Sequence, residues 1–99
     1  GLIGLVRTLA VELGPYAIRV NCVCPGAVEG PRILSVISAQ AQAQGISEEE
    51  SRRQFTDTAA LRRMFAADEV AAVCVFLDSD AAAVITGEDL NVSAGLVMY

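Results

Sequence analysis

The run Ile18-Arg19-Val20-Asn21-Cys22-Val23-Cys24, closed by Pro25-Gly26, decides how this chain folds. It is short, rich in β-branched residues and bounded by Pro15 on its other side. Such a run predicts a largely buried strand, the kind that builds parallel sheets. Upstream, Leu2, Leu5, Val6, Leu9 and Leu13 recur at helical spacing, while Arg7, Thr8 and Glu12 fall on another face. Gly14-Pro15 predicts the end of that helix, a glycine cap followed by a residue that cannot continue it. A helix that leads into a buried strand without a hairpin turn predicts an α/β fold.

Downstream, Ile33, Leu34, Val36 and Ile37 predict one apolar helical face that runs on through residues 39–44 and breaks at Gly45. Ser47 and Glu50 match a capping box opening a second short helix. On that helix Glu48 with Arg52, and Glu49 with Arg53, are favourably ordered pairs four residues apart. A last helix is expected from about Asp68 to Leu77, with Val70, Val73, Cys74 and Leu77 as its buried stripe. Asp68 and Glu69 suit the positive end of its dipole, whereas Ala66 at the cap position has no side-chain oxygen. Ile85-Thr86-Gly87 then predicts a turn, and Asp89-Leu90-Asn91-Val92 a second strand. Strand, helical crossover and strand together imply a right-handed βαβ unit.

Composition narrows the function classes. Apolar residues make up 54% and charged residues 19%, which excludes disorder from low hydrophobicity. No uninterrupted apolar run approaches the ~18 residues of a membrane span, so no membrane partner is expected. A net charge of -5 argues against nucleic acid, whose phosphates need a surplus of cations. Three cysteines are too few for a disulfide scaffold, which favours a reducing, cytoplasmic setting. Cys22 and Cys24 share one strand face and Cys74 lies on a helix stripe, so all three are expected to be buried and structural. The absence of His removes the commonest metal ligand, and no metal site is expected. Arg52-Arg53 and Arg62-Arg63 lie near Glu48, Glu49, Glu50 and Asp57 and predict a solvated mixed-charge surface. Gly1 stands already inside the helical pattern, without Met, from which a piece of something longer is expected.

The segment Gly4-Leu5-Val6-Arg7-Thr8-Leu9-Ala10-Val11-Glu12-Leu13-Gly14-Pro15-Tyr16-Ala17 leading into Ile18–Gly26 resembles the short-chain dehydrogenase/reductase family, in its classical NAD(P)-dependent branch. The later run Ile85-Thr86-Gly87-Glu88-Asp89-Leu90-Asn91-Val92-Ser93-Ala94-Gly95 is similar to the family's closing strand. The resemblance implies that residues 1–99 are the C-terminal part of a Rossmann-type doubly wound parallel sheet, two strands plus helices. It implies an oxidoreductase that interconverts an alcohol and a carbonyl by hydride transfer with NAD or NADP.

By the same resemblance Gly1 falls just after the Tyr-x-x-x-Lys motif. The glycine-rich loop and the catalytic Ser, Tyr and Lys then lie in a missing N-terminal half, and residues 1–99 hold no catalytic residue and are inactive alone. Pro25 and Gly26 would stand at the cofactor, with the backbone of Ala27 and Val28 against the nicotinamide carboxamide. Gly30 occupies a place where relatives often carry Thr, which removes a hydroxyl contact to cofactor. Residues from Glu29 to about Leu61 would cover the substrate, with Arg32 near the mouth of the site. Ser93-Ala94 replaces the Asp-Gly common in relatives, removing a carboxylate and backbone freedom. Implied partners are the missing half of the fold, a small-molecule alcohol or carbonyl substrate, and further copies of the chain, commonly as a homotetramer. The alternative is a non-catalytic oligomerisation or interaction fragment, because a strand cut from its neighbours leaves an apolar edge.

Overall fold

The structure is a computed structural model that describes residues 1–97. Helix α1 spans Leu2–Leu13, strand β1 Cys22–Pro25, helix α2 Pro31–Gln44, helix α3 Glu48–Asp57, helix α4 Ala67–Leu77 and strand β2 Asp89–Val92. The two strands pair in parallel, with Cys22 opposite Asp89, Val23 opposite Leu90, Cys24 opposite Asn91 and Pro25 opposite Val92. Helices α2 to α4 form the crossover between them. The expected α/β class is therefore observed, and β2 has the expected bounds.

Strand β1 is shorter than the expected 18–24, for an identifiable reason. Residues 19–21 approach the sheet through a single backbone bond, from Gly87 N–H to the Val20 carbonyl at 2.7 Å, and are otherwise held by side chains. Val20 N–H donates to Thr86 Oγ1 at 3.0 Å, and Asn21 Nδ2 donates to the Ile85 carbonyl at 3.0 Å. Asn21 Oδ1 in turn accepts from Glu88 N–H at 3.1 Å. The turn at 85–88 is thus bonded to the strand's approach, which fixes the register in which β2 begins.

The end of α1 also differs from the glycine cap expected. Gly14 stays right-handed, and the chain tightens into a 3₁₀ turn over Gly14–Tyr16. The left-handed residue is Ala17, at φ 60°. Pro15 explains this: its fixed φ suits a further helical turn, so the reversal is deferred past it. Gly45 behaves as expected, closing α2 at φ 67° with its N–H on the Ala41 and Gln42 carbonyls.

Burial is thinner than the apolar patterns imply. Val6 and Ala10 of α1, Cys22 of β1 and Ala82 are buried. Ile37 and Ala41 of α2 are buried as well, and fully buried Ser51 of α3 donates its hydroxyl to the Ile37 carbonyl at 2.9 Å. Of the four expected face residues of α2, Leu34 and Val36 are exposed and Ile33 is half-buried. None of α4 is buried: Val70, Val73 and Leu77 are half-buried and Cys74 is exposed, contrary to expectation. A two-stranded sheet offers α4 too little surface to cover its stripe. The radius of gyration, 17.0 Å, exceeds the roughly 13 Å of a compact chain of this length. The surface of 6647 Å² likewise exceeds the roughly 5,400 Å² expected of a compact 10.4 kDa domain.

The helix starts follow local chemistry. Ser47 Oγ accepts from Glu50 N–H at 3.1 Å, the first half of the expected capping box. The Glu50 carboxylate turns instead to Arg53, and Arg52 reaches Glu29 at 3.0 Å, so the two expected four-residue pairs are replaced by a three-residue pair and a long-range one. At α4 the missing cap oxygen of Ala66 is partly offset from the other direction. Glu69 accepts from Ala66 N–H at 3.1 Å and pairs with Arg63 at 2.7 Å.

That double engagement sets the acidity of Glu69. The Arg63 hydrogen bond first, and the Ala66 N–H second, lower its pKa from 4.5 to about 2. A depressed folded-state pKa gives stability that is present above the unfolded value and lost as pH falls through the folded one. The start of α4 is therefore expected to hold at pH 5 and to loosen as pH approaches about 2. Carbon-detected titration of the Glu69 carboxyl checks this, and Arg63→Gln should return its midpoint toward the usual range. An unchanged midpoint in that variant would refute the assignment.

Candidate functional site at the carboxyl end of the first strand

Open α/β sheets bind ligands beyond the carboxyl ends of their strands, and the chain departs from β1 there through Pro25-Gly26-Ala27-Val28. Gly26 N–H donates to the Val92 carbonyl at 3.0 Å, carrying the pairing one residue past the strand. The absence of a side chain at Gly26 is required by space, because a Cβ there would lie 2.8 Å from Ser93 Cβ and 3.0 Å from Ser93 Cα. Val28 then makes an isolated parallel bridge with buried Phe65. In this bridge Glu29 N–H donates to the Phe65 carbonyl at 2.8 Å, and Phe65 N–H to the Ala27 carbonyl at 3.5 Å. Peptide groups alternate sides along extended chain, so the N–H and C=O of Val28 itself face away from Phe65. Neither has a hydrogen-bond partner among the described residues.

A cleft of about 660 Å³ opens against this segment. All four sequence-predicted residues, Pro25, Gly26, Ala27 and Val28, line it, together with Gly30 and Arg32. Its volume lies within the range of small-molecule sites, and its lining is mostly apolar. Ile33 and Val36 contribute from α2, Phe55 from α3 and Leu96 from beyond β2. Sequence reasoning missed Phe55 and Leu96. For Phe55 a signal existed, since it is the single large apolar side chain in Glu48–Asp57. The exposure of Val36 and the half-burial of Ile33, deviations from a buried helix face, are what this cleft requires.

Beyond the cleft, the paired arginines meet carboxylates as the sequence predicts. Arg62 lies 4.0 Å from Asp57, and Arg63 is paired with Glu69. Cys22 and Cys24 present their sulfurs 3.8 Å apart, with Cys22 buried and Cys24 half-buried. The Cys22 thiol is pushed above its ordinary range, first by its hydrogen bond with Cys24, then by burial and by the charges of Cys24 and Asp89. It is therefore a protonated packing group and a poor nucleophile. Among the described residues no group of three His, Cys, Asp or Glu is placed to hold a metal ion, and no helix is long and apolar enough to cross a membrane.

Parallel β1–β2 pairing through a helical crossover, with a cleft at the strand ends, defines a piece of a Rossmann-type dinucleotide fold. The chain belongs to the short-chain dehydrogenase/reductase family: the family model described as enoyl-(acyl carrier protein) reductase matches residues 1–97. A protein of Streptomyces violaceoruber named as granaticin polyketide synthase ketoacyl reductase 1 is 40% identical over 99 residues, covering 100% of this chain and 36% of that protein. An L-rhamnose 1-dehydrogenase (NAD(P)(+)) of Azotobacter vinelandii is 36% identical over 96 residues, covering 97% of this chain and 34% of that protein. Among solved structures, an actinorhodin polyketide ketoreductase variant with NADPH aligns at a TM-score of 0.87 and 35% identity, covering 100% of this chain and 38% of that one. The chain thus spans little more than a third of the relatives it matches, and corresponds to their C-terminal part.

Proposed function

We propose that these residues form the nicotinamide-side wall and the substrate cover of an NAD(P)-dependent oxidoreductase that interconverts an alcohol and a carbonyl. The observation that carries this is the free peptide edge of Val28 beside the cleft. A nicotinamide carboxamide has an acceptor oxygen and a donor amide, and Val28 offers one N–H and one C=O on the same side of the chain. When bound, the dinucleotide supplies or accepts the hydride. Pro25-Gly26 sets the wall against which its ring lies, and residues from Glu29 to Leu61 shield the cleft from water.

The general acid/base is assigned to a part of the fold outside these residues. All seven cationic side chains here are Arg and none is Lys or His, and among the described residues the one tyrosine, Tyr16, lies past the end of α1 and does not line the cleft. Residues 1–99 as an isolated chain are therefore expected to consume neither NADH nor NADPH with any ketone or aldehyde, followed by dinucleotide absorbance. Turnover by the isolated chain would overturn the placement of the catalytic groups. The protein carrying the whole fold is expected to turn over with at least one of the two dinucleotides.

A non-catalytic interaction role is the second reading. It is favoured by the exposed Leu2, Leu5 and Val11 of α1 and by Val84, apolar surface of the kind that other chain segments or other copies cover. Dinucleotide consumption by the whole fold decides between the two, since an interaction fragment gives none under any condition.

A further inference from the structure

The cleft carries one charge that nothing in the structure explains. Five of the seven arginines, Arg7, Arg52, Arg53, Arg62 and Arg63, are paired with carboxylates, and Arg19 donates to the Ile85 carbonyl at 3.4 Å. Arg32 is the exception: its guanidinium has no carboxylate or carbonyl partner among the described residues. It lines the same cleft as Val28. The nearby acid, Glu29, is already neutralised by Arg52 at 3.0 Å. In a chain of net charge -5, the cleft mouth is thus left with one uncompensated positive group. Beside it stand the exposed apolar side chains Val36 and Leu96, with half-buried Ile33 and Phe55.

We propose that the substrate is a carbonyl compound with an apolar body and a terminal carboxylate or phosphate, and that Arg32 is the residue that selects it by pairing with that anionic group. The apolar side chains take the body by area, and the planar guanidinium offers two parallel N–H donors to an anion's two oxygens. Apolar burial alone accepts any substrate of suitable length, whereas one charged donor set at the mouth discriminates between an acid and its ester. This rests on the functional reading above for the identity of the cleft, but its test does not depend on turnover.

The probes are a medium-chain γ-keto acid and its methyl ester, titrated calorimetrically into the protein carrying the whole fold. The acid is expected to bind about tenfold more tightly than the ester, as a charge-assisted pair at a partly exposed site allows. Arg32→Gln should remove that preference by weakening the acid alone, and Arg32→Lys should keep most of it. Arg32 is exposed and unpaired, so neither variant should disturb folding. Equal binding of acid and ester by the wild-type protein overturns the proposal. So does an Arg32→Gln variant that weakens both ligands alike, or that weakens only the dinucleotide, which would assign the guanidinium to the cofactor's phosphates. Hydride transfer to the same two compounds is followed separately. Discrimination in binding without turnover would sink the oxidoreductase reading and leave the anion selectivity standing.

Discussion

Gly95→Ala is expected to cost about 3 kcal/mol of stability. Two independent terms add. Gly95 sits at φ 82°, where an L side chain costs roughly 1–2 kcal/mol. The added Cβ would also overlap Ala60 Cβ and come within 3.1 Å of Ala60 N and 3.2 Å of its Cα. Those are backbone atoms that cannot swing aside, and overpacking of this kind costs about 1–3 kcal/mol. Nor can the two segments simply part. Leu61 N–H donates to the Ala94 carbonyl at 2.8 Å and Ala60 N–H to the Gly95 carbonyl at 3.3 Å, so the exit of β2 is bonded to the turn between α3 and α4. The neighbouring residue supplies the control. Ala94 is already held at φ 54°, and Ala94→Gly is expected to stabilise by about 1 kcal/mol by relieving that strain. Denaturant midpoints should therefore move in opposite directions for two adjacent substitutions. A Gly95→Ala midpoint within error of wild type would show that the turn does not dock on Ala60.

The Ala94 result also indicates where sequence reasoning stops. From the letters alone, Ala in a place where relatives carry Gly signals lost backbone freedom. Two outcomes then remain open, a changed turn or the same turn held under strain. The structure shows the second, because Ser93, Gly95 and the two bonds to Ala60-Leu61 overdetermine the backbone around Ala94. Much else was legible for local reasons. Strand β2, the Ser47 cap and the breaks at Gly45 and Gly87 are written in residues that act on their own backbone. The parallel pairing of β1 with β2 was legible as well, since a buried strand and a helical crossover leave few alternatives.

What could not be read is which apolar face has something to pack against. Periodicity assigns Cys74 to a stripe and Leu34 and Val36 to a face, and all three are correctly grouped on their helices. Whether a stripe is covered depends on distant chain. Cys74 is exposed because only two strands lie below α4, and Val36 is exposed because it borders a cleft. The same limit hid Phe55 and Leu96, which reach the cleft from elements about 30 and 70 residues beyond Pro25-Gly26. The ion pairs failed for a related reason: Arg52 found Glu29 across the fold at 3.0 Å, and a long-range partner is invisible to a four-residue rule.

Gly26→Ala should link stability to function at the cleft wall itself. Its Cβ would stand 2.8 Å from Ser93 Cβ and 3.0 Å from Ser93 Cα, so the ends of β1 and β2 must separate by several tenths of an ångström. The Gly26-to-Val92 hydrogen bond, 3.0 Å long, is the first to stretch, and Ala27 and Val28 move with it. A stability loss of about 1–3 kcal/mol is expected from overpacking. Under the proposed function dinucleotide affinity should fall as well, on the order of tenfold, since a displaced peptide edge forfeits one or two hydrogen bonds. Ser93→Gly separates the two effects. It removes the nearer of the clashing atoms, so in the double variant much of the affinity should return, while the hydroxyl that accepts from Val97 N–H at 3.2 Å is still lost. A double-mutant cycle then reads the contact directly, as a coupling of Gly26→Ala with Ser93→Gly of at least about 1 kcal/mol. Additive effects would mean that the two strand ends do not constrain each other. Wild-type dinucleotide binding by a stably folded Gly26→Ala variant would remove the Ala27–Val28 edge from the cofactor site.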